Sequence, residues 1–475
     1  MLRSFGTIVL AFGLMLSAMG SARAQAPATQ PDLAKLGDEA QGWLADMIRI
    51  NSVNPPGNET AVAKYISAIF QKENISNEVL EITPGRSIVI ARLQSGPLPD
   101  PANALMLLAH QDTVGVDPKK WTVDPFGAVI REGYMYGRGT IDDKGMLAAN
   151  IAVMVALKRS NVRLARDIIF LATDDEEQGG PASIKVVIEK YWDKIACGFA
   201  LNEGGSIVLK GNKVQYVGVQ ASEKVQFNVT VTATGPSGHA SRPLPGNAVV
   251  HLAAAIAKLG TYQVPADPST IVLGYFEQLA KIEDDDTAKW MRAIEQPERA
   301  DLAVKHLTDM NPMWGSMLHD SIAPTILQGG VRSNVIPSEA TANLNVRMLP
   351  GHSIDELISQ MGKVVNDPQI RFQLAPDGGE HAPPSDLTTP LYQTIMRIAP
   401  QDFPGAITLP MLSTWATDSS SLRLHKVQAY GLDPFPLAEA DEARMHGDDE
   451  RIPLESFHKG VAFLYHVVTD FASAK

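Results

Sequence analysis

Short, uninterrupted apolar runs mark the first part of the chain. "ALMLLAH" (104–110) and "DIIFLAT" (167–173) are short for helices and have no polar residue in their middles, as strands covered on both faces of a parallel sheet do. Between them, "KGMLAANIAVMVALKRS" (144–160) is long and mostly apolar, and it closes on Lys158 and Arg159, which suit the negative end of a helix. Strand, helix and strand in this order predict a doubly wound α/β sheet with a buried crossover helix. "CGFALN" (197–202) predicts a third strand.

The pattern changes near residue 222. "KVQFNVTVTATG" (224–235) and "EATANLNVRM" (339–348) alternate apolar and polar residues, the mark of antiparallel strands with one wet face. Helices are expected around 247–260 and 353–365, so this stretch describes an α+β insert of ordinary domain size. Residues 262–322 form a long excursion inside it, with no function legible in the sequence. "APDGGEHAPPSD" (375–386) is a Gly/Pro-rich linker, after which helical and apolar-run signals return at 387–398, 406–412, 427–432 and 454–472. The expected organisation is a catalytic domain in two parts, 25–221 and 379–475, split by an inserted domain, 222–378. Residues 1–24 stand apart as a signal peptide.

That assignment rests on Arg3, the apolar run "TIVLAFGLMLSAMG" (7–20) and the small residues Ala22 and Ala24 before a cut after Ala24. The run is too short for a convincing membrane span, so the expectation is export to a periplasm or beyond, with no membrane attachment after cleavage. With Cys197 as its single cysteine the chain forms no internal disulfide, and 475 residues can bury enough surface without one. A net charge of −12 argues against a nucleic-acid partner and leaves cation binding open.

Ligands of open α/β sheets gather at the carboxyl ends of strands. His110 and Asp112 end the first predicted strand, Asp174, Asp175, Glu176 and Glu177 end the second, and Glu203 follows the third. Residues two apart in an extended segment point the same way, so Asp112 can accept from the far nitrogen of His110 and fix its tautomer for a metal. Alone, such a pair is more often structural. "YGRGTIDDKGM" (136–146) sets Asp142 and Asp143 before the buried helix, where one can cap it while the other bridges cations.

"AHQDTV" (109–114), "WTVDPFGAVIREGYMYGRGTIDDKG" (121–145), "ATDDEEQGG" (172–180) and "NEGG" (202–205) together resemble the M20 family of metallopeptidases. The resemblance continues through "GPSGHASRPLPGNAV" (235–249), "GGVRSNVIPSEATANLNVRMLPG" (329–351) and "MHGDDERI" (445–452), in the family's order. The spellings are closest to the carboxypeptidase S and N-acyl-amino-acid hydrolase branch. The resemblance implies a di-zinc aminopeptidase-like catalytic domain with an α+β lid or dimerisation domain. It implies two zinc ions per subunit, with manganese or cobalt as substitutes: His110 and Glu203 on one, Glu177 and His446 on the other, Asp142 bridging. Glu176 is then the general base and Asp112 orients His110. In the insert, His239, Asn334 and Arg347 match substrate-contacting positions: His239 for the scissile carbonyl, reaching a partner's site in relatives that dimerise, and Arg347 for a free carboxylate. Read from its strand alone, Arg347 lies on a polar face with Glu339, Thr341, Asn343 and Asn345 and is expected to be solvated. Gln111 departs from the small or apolar residue commoner there and is expected to tune the rim of the site.

The implied activity is hydrolysis of an amide bond in small peptides or N-acyl amino acids, next to a residue with a free carboxylate. A deacylase rather than a peptidase is the near alternative. A solute-binding protein built on the same cleft is the distant one, disfavoured because every ligand and the base are present. Another co-catalytic zinc aminopeptidase family would lack the insert with its "SNVIP" and "NVR" elements.

Overall fold

In the computed structural model, which describes residues 30–179, 184–376 and 378–474, the predicted strand Leu105–His110 lies in the interior of a ten-stranded mixed sheet. Ile168–Thr173 pairs with it in parallel on one side and Phe199–Asn202 on the other. The chain thus crosses to one neighbour through helix Lys144–Arg159 and then returns past the first strand to the other. That is a topological switch point, and the carboxyl end of Leu105–His110 opens onto it. Gln428–Gly431 extends the parallel block beyond Phe199–Asn202. Ser76–Thr83 and Arg86–Leu93 form an antiparallel edge.

Why the runs are apolar throughout is visible in the packing. Leu105, Leu107, Ala109, Ile168 and Phe170 face one core, whereas Met106, Leu108, Ile169 and Leu171 face another. Period-two side chains on a sheet covered on both faces leave no position for polar residues. Residues Lys144 to Leu157 of the crossover helix are all buried, and the helix packs on Leu33–Arg49 and Leu454–Ala472. None of the described helices is long and apolar enough to cross a membrane; the apolar run 7–20 and the cut after Ala24 lie outside the described residues.

A second sheet, ordered Ser321–Gly329, Glu339–Met348, Val225–Thr234, Ile370–Leu374, is antiparallel and has its own core. Val225, Phe227, Val229, Val231 and Ala233 point into it, and helices Ala248–Thr261 and Ile354–Val365 cover that face. The excursion departs from the expected boundary of the insert. Helices Thr270–Leu279, Asp285–Ala293, Ala300–Met310 and Pro312–Leu318 bury Ile271, Phe276, Met291, Leu307 and Met317 in the core of the larger sheet. Thr270–Leu279 packs on Ile407–Ser413, so this segment leaves the insert's core and braces the larger one.

Candidate metal centre and substrate cavity

Three strand ends and two loops meet at the switch point. His110 closes its strand, and its Nε2 lies 2.8 Å from Asp142 Oδ1 and 3.8 Å from Glu203 Oε2. His446 Nε2 lies 2.8 Å from Asp142 Oδ2 and 3.3 Å from Glu177 Oε2. Asp142 thus stands between two imidazoles, with Glu203 beside one and Glu177 beside the other. His110, Asp142 and Glu177 offer donor atoms within 4.8 Å of one another, and so do His110, Asp143 and Glu203.

The charge balance here is lopsided. Burial pushes Glu176, Glu203 and Asp143 well above the usual carboxylate range, and in Glu203 the neighbouring Glu176 adds to the effect. Burial opposes the charge on Asp142 as well, but His110 and His446 hold its carboxyl well below that range. Hydrogen bonds to Asp142 and Glu177 push His446 up to about 10. A buried surplus of carboxylates is costly unless cations compensate it. Imidazole and carboxylate donors suit divalent zinc, and oxygen-rich sets also accept manganese. The residues therefore fit a metal pair.

Around these donors the structure reassigns several side chains. Asp143 stands at the start of helix Lys144–Arg159, yet its carboxylate does not cap it; Oδ2 accepts from the backbone N–H of His110 at 3.2 Å. The nearer acceptor for His110 Nδ1 is the carbonyl oxygen of Asp112 at 3.0 Å, with carboxylate Oδ1 at 3.3 Å. The Asp112 carboxylate also takes the N–H groups of Glu176 (3.3 Å) and Glu177 (3.2 Å) and Asn54 Nδ2 (2.8 Å). It holds the loop after the second strand as much as it orients the histidine. Gln111 does not reach the rim: its amide is buried and donates to the carbonyls of Ser87, Ala172 and Thr173, tying strand ends together.

The four adjacent acids are compensated unequally. Asp175 pairs with Arg86 at 3.0 Å and accepts from Asn54 at 2.7 Å. Asp174 is fully buried, neither of its carboxylate oxygens has a hydrogen-bond partner among the described residues, and burial pushes it up to about 8. Glu177 Oε1 accepts from Val114 N–H at 3.1 Å while Oε2 faces His446. Gly179 has a positive φ of 58°, and Gly180 lies outside the described residues.

A cavity of about 750 Å³ opens onto the centre and is lined by Asp142, Glu176, Glu177, Glu203 and His446. Arg347 lines it too, although it belongs to the second sheet. It is half-buried rather than solvated, its Nε donates to Asn345 at 3.2 Å, and it pairs with no acid among the described residues. Burial lowers its pKa, a sign of a guanidinium short of counter-charge. His239 and Asn334 are not brought in. Both are exposed, on or beside the two-stranded ribbon of Gly238–His239 and Val335–Ile336, and neither lines the cavity.

Two acids outside the candidate set belong to this surround: Asp418, whose stretch "WATDSSS" (415–421) matches a weaker motif of the family, and Asp433, which the sequence did not single out. Asp418 lines the cavity, accepts from Thr173 Oγ1 at 2.9 Å and is pushed up by burial to about 7. Asp433 is raised by burial and then by Asp142. It follows the apolar run 427–432, so the rule of strand ends applied to Glu203 would have found it.

Sheet, insert and donor set define a hydrolase of the peptidase and amidohydrolase type. The model of peptidase family M20/M25/M40 matches residues 106–470, and the chain belongs to that family. It is 28% identical over 374 residues to "Probable carboxypeptidase S-like 2" of Dictyostelium discoideum, covering 77% of this chain and 71% of that one. It is 28% identical over 426 residues to the N-fatty-acyl-amino acid synthase/hydrolase PM20D1 of Homo sapiens, covering 86% and 83%. The fold is similar to that of an M20 family metallo-carboxypeptidase from Sulfolobus solfataricus, with a TM-score of 0.67 at 18% identity over 91% of this chain and 99% of the other.

Proposed function

We propose that this chain is a two-metal hydrolase of the amide bond in small peptides or N-acyl amino acids, acting beside a free carboxylate. The observation that carries the reading is one cavity lined by Asp142, Glu177, Glu203 and His446, with His110 behind Asp142, by Glu176, and by Arg347, which pairs with no acid among the described residues. His110 and Glu203 would hold one ion, Glu177 and His446 the other, with Asp142 between them. Zinc is the proposed metal, with manganese or cobalt as substitutes. Bound there, the cations supply Lewis acidity and lower the pKa of water.

The side chains do the rest. Glu176 lines the cavity and its carboxylate takes no hydrogen bond among the described residues, placed to take a proton from the attacking water and return it to the leaving nitrogen. Asp112 fixes the loop that presents it. Arg347 binds the substrate carboxylate through paired N–H donors, which places the scissile bond at a fixed reach from the base.

His239 and Asn334 complete the site in this reading only from a second copy. Strand Ser321–Gly329 is an exposed edge carrying Ile326 and Leu327, and Val249 and Val250 are exposed on the neighbouring helix. A homodimer through this face of the insert would cover the edge, which isolated sheets rarely leave open. Export with cleavage after Ala24 remains part of the proposal on the strength of the leader pattern alone.

A deacylase is the second reading. Ile184, Leu424 and Trp415 line the same cavity, an apolar wall suited to an acyl chain. The human relative is named for N-fatty-acyl amino acids. The test is a chromatographic screen of metal-loaded protein against dipeptides and N-acyl amino acids, with Glu176→Gln as control. Turnover of one series, lost by at least a hundredfold in the variant, supports the proposal and selects the branch. Turnover of neither series, or an active Glu176→Gln protein, overturns it.

A further inference from the structure

Asp142 and His446 come from loops more than 300 residues apart in sequence, and neither loop is regular. His446 is left-handed, with φ of 61°, a conformation uncommon for a non-glycine residue. Beside that turn lies Glu450, which is fully buried and binds the loop that carries Asp142. Its carboxylate accepts from the backbone N–H of Ile141 at 2.8 Å, Gly139 at 3.1 Å and Asp142 at 3.3 Å, and from Thr140 Oγ1 at 3.4 Å. Arg138, also buried, donates to it from Nη1 at 2.5 Å. The other arm of that guanidinium donates to the carbonyl of Gly447, next to His446, at 2.8 Å. The Glu450 carbonyl accepts from Gly137 N–H at 3.0 Å. One carboxylate therefore gathers the Asp142 loop, and one guanidinium ties it to the His446 turn.

We propose that Glu450 and Arg138 are a positioning pair that sets the separation of Asp142 and His446, and through it the metal affinity of the site those two share. The proposal rests on the two-metal reading. A buried ion pair is weak evidence for stability as such, because its desolvation offsets much of its attraction. What the pair secures is geometry: the guanidinium's two arms have fixed directions, and four of the carboxylate's acceptor contacts fall on consecutive residues, 139 to 142. Partners behind metal ligands typically account for about 10- to 100-fold in affinity.

The test is a titration of the metal-free full-length chain with zinc against a competing chelator, with the visible spectrum of the cobalt-loaded form alongside. The variants are Glu450→Gln and Arg138→Lys. Glu450→Gln keeps the shape but puts an amide NH₂ against N–H donors. Arg138→Lys keeps a cation beside Glu450 but cannot reach Gly447 at the same time. The expected result is a loss of about 10- to 100-fold in affinity for the weaker of two ions in Glu450→Gln and a smaller loss in Arg138→Lys. The cobalt spectrum should change in both, and excess metal should restore kcat with KM unaltered. Two-ion binding of wild-type strength in both variants, with only a lowered melting temperature, overturns the proposal while leaving the two-metal reading intact. Should Glu450→Gln fail to fold, Arg138→Lys decides alone. A wild-type chain that binds no metal overturns both.

Discussion

Replacing Asp112 with asparagine exchanges one oxygen for an NH₂ group and should cost about 30-fold in kcat/KM at saturating metal. The figure follows from the contacts. The side chain can turn its remaining oxygen toward Asn54 Nδ2 and Glu177 N–H, the shorter contacts at 2.8 and 3.2 Å. It then sets its NH₂ against the N–H of Glu176, which loses its 3.3 Å acceptor. A hydrogen bond to a charged group contributes roughly 1.5–3 kcal/mol, so about 2 kcal/mol of loop order is lost, and each 1.4 kcal/mol is about tenfold in rate. The tautomer of His110 should survive, because the Asp112 carbonyl still accepts from Nδ1 at 3.0 Å. Metal content should therefore stay near that of the wild type while turnover falls. Asn54→Ala should share the defect, since Asn54 joins Asp112 to Asp175, and the double variant should lose less than the sum of the singles. Steady-state kinetics with elemental analysis of each protein measures all of this. If Asn54→Ala is fully active, or Asp112→Asn loses its metal outright, the carboxylate acts through His110 alone and the reasoning is wrong.

Arg347→Lys should raise KM about tenfold with kcat little changed, because an ammonium cannot bind a carboxylate through two parallel N–H groups; a fall in kcat alone would remove Arg347 from substrate binding. Dialysis against a chelator should abolish turnover and lower the melting temperature, with zinc restoring both, because the buried carboxylates are left to repel one another; activity that survives metal-free dialysis refutes the metal requirement. His466 bonds Asp402 at 2.7 Å and its pKa is raised by that partner, so the stability it adds is fully present below its unfolded value near 6.5 and fades as pH rises through the folded value. The melting difference between wild type and His466→Gln should thus be larger at pH 5.5 than at pH 8.5, and a difference that grows with pH contradicts the assignment.

Strand and crossover signals were legible because sheet burial on both faces leaves no room for polar residues, so "ALMLLAH" and "DIIFLAT" could hardly be anything else. The position of the centre followed from the same signals through the rule of strand ends, which places His110, the 174–177 loop and Glu203 on one rim. The excursion at 262–322 was not legible in that way. Its helices carry apolar faces, and such a face says that it is buried without saying against what; here Ile271 and Phe276 pack into the larger core although the chain has already entered the smaller one. Arg347 misleads on its own strand, where alternation predicts a wet face, because the cavity reaches the end of that strand and takes in Arg347 alone of that face.

The hardest quantity to read was the division of labour among Asp174, Asp175, Glu176 and Glu177, and the structure explains why. Their sequence is a run of equals, but each is fixed by a partner far away in the chain. Asp175 meets Arg86 and Asn54, Asp112 takes the backbone of Glu176 and Glu177, and His446 faces the carboxylate of Glu177. Asp174 turns inward with no hydrogen-bond partner for its carboxylate among the described residues. Local pattern cannot apportion roles that tertiary contacts create. It can place acids at the end of a buried strand, where solvent no longer screens them and other groups must compensate their charge. In this chain Arg86 and Asn54 do so for Asp175, whereas Glu176 and Glu177 open onto the cavity, where cations would complete the balance.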